Sequence, residues 1–385
     1  VPDPEKPVGP VPLASLAAAF LKLGTIAFGG PAAHIALMQE EFVFRRKWLT
    51  DEEFLDRVAA ANLIPGPSST EMAIFIGHSK RGIAGLIIAG LCFIVPAAVL
   101  VSLIAAAYVR FGAFPQAGGI LRAIKPVVIA VIVQALWHFG RTALKKRFLV
   151  LIAIGAAMVS WVSVNPLVVL LLAGLASAAE LWLRENRKSA MLPSVLPRTL
   201  MTLGSAAAVA ITAPVSLWRL FASFLKVGSV VFGSGYVLLA FLRAEFVDQL
   251  HWLTEQQLID AVAVGQFTPG PVFTTATFIG FLLAGIPGAF CATVGIFLPG
   301  FVLVAASGPW IPRIRKSRYA SAVLDGVVAG SLALMAVVAW QLGRASITDW
   351  LTILLAVSSG VLLKFKVNSA WLIAGAALIG LIVQS

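Results

Sequence analysis

The chain is 385 residues long, 59% hydrophobic and only 12% charged, with a mean hydropathy of +0.95. Soluble domains carry about a quarter charged residues, so a soluble globule is excluded and the composition specifies an all-α polytopic membrane protein. The net charge of +12 lies in short clusters between apolar runs, where a positive-inside bias accounts for it and nucleic-acid binding does not.

Residues 1–12 are proline-rich and read as an N-terminal tail without the charged and apolar regions of a signal peptide. A first repeat follows over 13–183. Its opening helix carries Lys22 and ends at Gly29-Gly30-Pro31, a break after which a new helix is predicted from Ala32, with His34 on its first turn. Glu41 precedes the basic cluster Arg45-Arg46-Lys47, and Trp48-Leu49-Thr50 leads into residues 53–64 and 68–78. These two stretches flank Asn62 and Pro65-Gly66-Pro67, and each is roughly 16 to 18 Å as helix, half a bilayer core. Basic residues at both outer ends predict a re-entrant hairpin that turns near the midplane. Spans at 83–109, kinked at Pro96, and at 123–139 come next, then a short pair at 148–162 and 166–182. A linker at 184–216 holds an apolar stretch, 199–215, long enough for one connecting helix.

The second repeat, 217–385, restates the first. Residues 20–67 lie on 224–271 at a constant offset of 204 without a gap, and 19 of the 48 positions are identical. Lys226 repeats Lys22, and Gly233-Ser234-Gly235 repeats the glycine break. Glu245 and Asp260 repeat Glu41 and Asp56, Gln266 stands for Asn62, and Pro269-Gly270-Pro271 closes the copy. Half-helices at 256–268 and 272–283, spans at 286–308 (with Pro299) and 322–342, and a pair at 350–363 and 369–383 complete it. Loops basic in the first half are nearly bare of positive charge in the second, while Arg313, Arg315, Lys316 and Arg318 cluster where the first half has only Arg110 and Arg122. The second repeat is therefore expected to be inverted, with the N-terminus cytoplasmic and the C-terminus outside.

A helix that starts after Pro-Gly-Pro presents unpaired N–H groups and the positive end of its dipole, an anion site when shielded from water. Ser68, Ser69 and Thr70 add hydroxyls in copy one, Thr274 and Thr275 in copy two, and Lys22 and Lys226 add charge. Such a cradle suits a tetrahedral oxyanion with many acceptor oxygens, and suits a metal badly because few carboxylates lie near the breaks. No cofactor, metal set or enzyme constellation is present in the pattern; Cys92 and Cys291 sit alone in apolar runs.

The run Phe28-Gly29-Gly30-Pro31 with His34, then Trp48-Leu49-Thr50, then Asn62 before Pro65-Gly66-Pro67, resembles the chromate ion transporter family in its long, two-domain form. Gln266 before Pro269-Gly270-Pro271 fits the same resemblance. It implies export of chromate across the plasma membrane, with sulfate as the physiological look-alike, driven by membrane potential or proton gradient. Asn62 departs from the family's more frequent Gln, a shorter reach with the same polarity.

The binding set expected is therefore Lys22, Gly29, Gly30, His34, Asn62, Pro65, Gly66, Pro67, Ser68, Ser69 and Thr70, with Lys226, Gly233, Ser234, Gln266, Pro269, Gly270, Pro271, Thr274 and Thr275. For Lys22 and Lys226 the competing reading is snorkelling to the interface. Glu71, near the predicted midplane, reads as a proton-coupling carboxylate or as a salt-bridge partner of Lys22 or Lys226, with Thr275 as its counterpart. Glu41, Glu245, Asp56 and Asp260 read as gating residues or as partners of Arg45, Arg46 or Arg57 near the interfaces. Lys125 and Asp325 occupy matched positions and suggest an inter-repeat ion pair. The competing function is a passive anion channel of similar build. The partners expected are the oxyanion and the bilayer, with homodimerisation left open.

Overall fold

A computed structural model describes residues 11–28, 30–111, 115–144, 146–161, 165–186, 216–232, 237–307, 317–365 and 367–383. The described residues are almost wholly helical. In the first half, α1 is Leu13–Ile26, α2 Gly30–Gln39, α3 Asp51–Ala61, α4 Ser68–Phe111, α5 Pro115–Ala143, α6 Arg147–Trp161 and α7 Pro166–Asn186. In the second, α8 is Leu217–Val230, α9 Leu238–Leu242, α10 Glu255–Phe267, α11 Thr275–Ser307, α12 Arg318–Ser346, α13 Trp350–Lys364 and α14 Ser369–Val383. The expected connecting helix at 199–215 lies outside the described residues.

Local chemistry repeats along with the sequence. Thr50 and Glu53 form a reciprocal cap on α3, and Thr254 and Gln257 form the same cap on α10, so each half-helix starts at a fixed residue. Upstream, each copy widens into a π turn, Glu40–Arg45 and Arg243–Gln249, where Phe42 and Phe246 carbonyls each accept two amides, from Trp48 with Leu49 and from Trp252 with Leu253. The chain leaves each turn through a left-handed residue, Lys47 at φ 52° and His251 at φ 51°.

α4 and α11 are each two limbs. Their only non-helical dihedrals fall at Arg81-Gly82 and Ala284-Gly285, where φ of 57° and 60° suits glycine. Gly77 then packs on Gly85, and Gly280 on Gly288, so closely that a Cβ on any of the four would meet a backbone oxygen at 2.1 to 2.3 Å. The stretches read as loops at residues 80–81 and 283–285 are therefore tight helical reversals, and the kinks expected at Pro96 and Pro299 are minor beside them. α3 and the first limb of α4 (68–80), 11 and 13 residues, span about 16 and 20 Å, roughly half to two thirds of a bilayer core.

The reversals lie 203 residues apart, not 204. α4 starts as α-helix at Ser68, whereas copy two inserts the 3₁₀ turn Val272–Thr274 before α11. A 3₁₀ turn rises about 2.0 Å per residue against about 1.5 Å, so one residue fewer covers the distance. Counted back from the reversal, the counterpart of Glu71 is Thr274 rather than Thr275.

Packing crosses between halves. α1 packs on α4 and α8 on α11, and α4 meets α11 at the centre; α5 takes up α13 and α14, while α12 takes up α6 and α7. Small residues permit the approach: a Cβ on Gly326 would meet the Ala173 carbonyl oxygen, and one on Gly380 the Gly119 carbonyl oxygen, each at 2.3 Å. Gly119 belongs to α5, which starts at Pro115, eight residues before the predicted 123. The Gly-rich stretch read as a loop is helix because proline suits a first helical position and membrane helices tolerate glycine.

Among the described residues, five helices are long and apolar enough to cross a membrane: α4, α5 (as 118–141), α7, α11 with its preceding 3₁₀ turn, and α12. The long limb of α4 exposes Ile83, Ile87, Leu91, Val95, Val99 and Leu103 in an unbroken i, i+4 stripe that water would not tolerate and lipid does. Trp137, Trp161, Trp182, Trp218, Trp340, Trp350 and Trp371 are exposed near helix ends, as in an interfacial belt. The protein is an all-α, multi-pass membrane protein.

Candidate functional site

Each Pro-Gly-Pro segment lies against the opposite half. Gly66 has φ 136° and Gly270 φ 95°, conformations that favour glycine, and the prolines on either side cannot donate. Each tip spends its glycine amide on the other half. Gly66 N–H donates to the Val231 carbonyl at 2.7 Å, and Gly270 N–H to the Ala27 carbonyl at 2.8 Å. Ala27 and Val231 are equivalent positions, the C-terminal caps of α1 and α8. The tips are thus anchored reciprocally, each on the broken helix of the opposite copy.

Behind each tip the chain is buried. Ser68, Ser69, Thr70 and Glu71 follow Pro67, whose carbonyl accepts the Thr70 and Glu71 amides at 2.7 and 3.0 Å. Helix geometry leaves the amides of Ser68 and Ser69 ahead of the first intrahelical bond. In copy two, Thr274 and Thr275 are equally buried, yet their hydroxyls already donate to the Pro271 and Val272 carbonyls at 2.8 Å each. Copy one differs: among the described residues, Thr70 Oγ1, both Glu71 carboxyl oxygens and His34 Nδ1 are buried without a hydrogen-bond partner. The expected hydroxyl donors of copy two are therefore already engaged, whereas the Thr70 hydroxyl of copy one is not.

Other predicted residues fall as follows. Gly30 opens α2, two residues before the expected start, at φ 79°. Buried His34 sets Nε2 3.1 Å from the Ala27 carbonyl, the same oxygen that takes the Gly270 amide, with Phe93 edge-on at 5.7 Å. Gln266 is buried and lines a cavity of about 10 Å³ with Thr275 and Val272, room for about one water and not for a five-atom oxyanion. Its counterpart Asn62 is exposed. Gly29, Gly233 and Ser234 lie outside the described residues.

The lysines are paired elsewhere. Lys22 reaches Glu41 at 3.5 Å and Lys226 reaches Glu245 at 2.5 Å, so the salt bridge from Glu71 to either lysine does not form. Glu41 also binds Arg45 and Arg46, at 3.0 and 2.7 Å, as the sequence suggested. The lysine reaches the acid because the π turn swings it back onto the preceding helix.

The acids Asp56 and Asp260 are not alike. Asp56 is exposed, whereas Asp260 is buried between halves, with Lys125 Nζ at 3.0 Å and the Tyr108 hydroxyl donating at 2.9 Å. Lys125 also donates to Gln256, and Asp325 pairs instead with Lys146 at 3.4 Å. Both ion pairs cross between halves, but Lys125 and Asp325 are not each other's partners, because α10 brings Asp260 to Lys125 first. Arg122, read as a loop residue, lies in α5 and bonds Asp349 at 2.5 Å. Tyr108 had no sequence signal beyond its rarity, as one of 3 tyrosines.

Comparison with known proteins follows the same duplication. A "Chromate transport protein" of Cupriavidus metallidurans is 34% identical over 371 residues, 94% of this chain and 91% of its own. A "Probable chromate transport protein" of Synechococcus elongatus is 31% identical over 376 residues, 95% of this chain and 94% of its own. A "Chromate transport protein" of Pseudomonas aeruginosa is 31% identical over 346 residues, 85% and 80% of the two chains. No solved structure matches the chain. The pattern of the Chromate transporter family fits twice, over residues 14–178 and again over 218–381, one match to each copy of the Pro-Gly-Pro unit, and the chain belongs to that family.

Proposed function

We propose that the protein is a secondary active exporter of a tetrahedral oxyanion, chromate in the first place with sulfate as its look-alike, in the plasma membrane. The two copies are inverted repeats, N-terminus cytoplasmic and C-terminus outside, and the tips form the cradle between them. The observation that supports this reading is the reciprocal anchoring of Gly66 on Val231 and Gly270 on Ala27, which ties the start of each half-helix to the opposite copy. Chromate and sulfate offer four acceptor oxygens to the amides and hydroxyls gathered there, chiefly those of Ser68, Ser69 and Thr70.

Alternating access supplies the room the cradle lacks. Rocking of one repeat against the other would open the tips to either side and admit an anion for which the void of about 10 Å³ beside Gln266 and Thr275 has no room. A passive channel would need a continuous path instead. Reconstituted vesicles test the assignment: labelled chromate flux is expected to saturate, to follow an imposed potential, and to be inhibited by sulfate. Flux that stays proportional to concentration and ignores sulfate would establish a channel. Membrane-impermeant labelling of cysteines placed at Lys80 and Ala284 is expected from opposite faces; labelling from one face would overturn the inversion.

A further inference from the structure

We propose that Glu71 is a proton-binding site coupled to the anion, so that the cradle takes up one proton on Glu71 with each oxyanion it binds. The inference rests on the transport reading above and adds the co-ion to it.

Three independent features point to Glu71. Its side chain is fully buried in the first turn and a half behind the tip, and neither carboxyl oxygen has a hydrogen-bond partner among the described residues. The carboxyl is aimed at the cradle: Oε1 occupies the space in front of the Gly66 α-carbon, 2.3 Å from where a Cβ would stand, and lies 3.8 Å from the corresponding point on Gly300 of α11. It thus sits between the tip of one copy and the long helix of the other, the surfaces that must part for the tips to open. In the second copy Thr274 and Thr275 stand there instead, with hydroxyls engaged by the Pro271 and Val272 carbonyls, so among the described residues the carboxyl belongs to one tip alone.

The surroundings leave no fixed charge to balance a carboxylate. α1 carries Lys22, held by Glu41; α2 carries His34, turned to the Ala27 carbonyl. α10 carries Glu255, held by Arg243, and Asp260, held by Lys125. α3 contributes exposed acids and Arg57, which donates to the Glu53 carbonyl. The tip, the 3₁₀ turn and α11 carry no charged residue. An isolated carboxylate is costly in such a place, and beside a dianion it is repulsive as well. Protonated, Glu71 becomes an O–H donor that serves an anion oxygen together with the Thr70 hydroxyl. Anion and proton therefore favour each other's binding.

The proton comes from water on the loading side, rests on the Glu71 carboxyl while the site is closed, and returns to water on release; no bond to the anion is made or broken. A dianion carried with one proton still moves one net negative charge, so an inside-negative potential continues to drive it outward.

Calorimetric titration of sodium chromate into the purified full-length protein, in buffers of different ionisation enthalpy between about pH 7 and pH 9, reads the protons taken up per anion. The expected result is a proton uptake that rises with pH towards about one per bound anion at the alkaline end, where affinity falls about tenfold per pH unit. In Glu71→Gln the uptake is expected to vanish and the affinity to lose its pH dependence; Glu71→Asp should restore both. Binding without proton uptake in the unmodified protein, or uptake that persists in Glu71→Gln, would overturn the proposal while leaving the transport reading intact. No chromate binding at all would remove both.

Discussion

Replacing Gly270 with alanine isolates what holds the two tips together. At φ 95° an L-residue is strained by about 1 to 3 kcal/mol. The added methyl would also stand 2.6 Å from the Ala97 Cβ of α4, an overlap with the other copy worth about 1 to 3 kcal/mol more. Gly270→Ala should therefore lose about 2 to 6 kcal/mol, read as the shift in the unfolding midpoint on titrating denaturing detergent into micelles. Ala97→Gly alone costs only about 1 kcal/mol as a helix glycine. Combined, the second change removes the overlap but not the backbone strain. The double variant should recover about 1 to 3 kcal/mol relative to the sum of the single changes. Strict additivity would mean that the tip of copy two does not rest on α4, and the reciprocal docking of the tips would fall with it.

Further outcomes are accessible to the same protein. Lys125→Met should cost about 3 to 5 kcal/mol because it strands Asp260 between the halves, and Lys125→Met with Asp260→Asn should regain most of that loss; equal stability of the two would show that the pair is not buried. Thr70→Val should weaken chromate binding more than Thr274→Val, since the Thr274 hydroxyl is already given to Pro271; the reverse order in a binding titration would move the anion to the second tip. Asp349 is held below the ordinary carboxylate range by the Thr352 amide and then by Arg122. With a depressed folded-state value, its contribution is complete above the unfolded value of 3.8 and is lost as pH falls through the folded one. The stability difference between the unmodified protein and Asp349→Asn in thermal unfolding should therefore be constant above about pH 3.8 and shrink as pH falls below it; a difference that does not change with pH would refute the assignment.

What was legible in the sequence is what the backbone itself requires. Gly66 and Gly270 had to be glycine for their φ, and prolines on both sides mark a place where helix hydrogen bonding stops, so the tips and their half-length helices could be read directly. Thr50 and Thr254, three residues before Glu53 and Gln257, are local signals of the same kind. The anchors of the tips could not be read, because Ala27 and Val231 act through carbonyl oxygens and any residue supplies one. Side-chain pairing across halves was equally hidden. Lys125 and Asp325 share a position in the repeat, but partnership depends on which helix arrives beside the lysine, and α10 delivers Asp260. The shift from 204 to 203 residues is a third case: it arises from a 3₁₀ turn that no side chain in Val272–Thr274 dictates.

The duplication shapes the scaffold more evenly than it shapes the chemistry. Lys22–Glu41 and Lys226–Glu245, with lysine side chains 45% and 42% exposed, contribute at most about 1 kcal/mol each to stability, so their repetition fixes how each π turn folds back rather than how firmly it is held. Unpartnered buried polar groups cost about 1 to 3 kcal/mol apiece, and among the described residues at the tips they occur in the first copy alone, at Thr70, Glu71 and His34. Copy two satisfies the same positions locally, with threonines bound to their own helix and a leucine, Leu238, where the histidine would stand. Because each tip hangs on the opposite copy, a ligand that engages the first tip acts on the second through Gly66–Val231 and Ala27–Gly270, without needing a second set of binding groups. On the proposed reading, symmetric mechanics with one-sided chemistry would be enough for a single anion site to move both repeats.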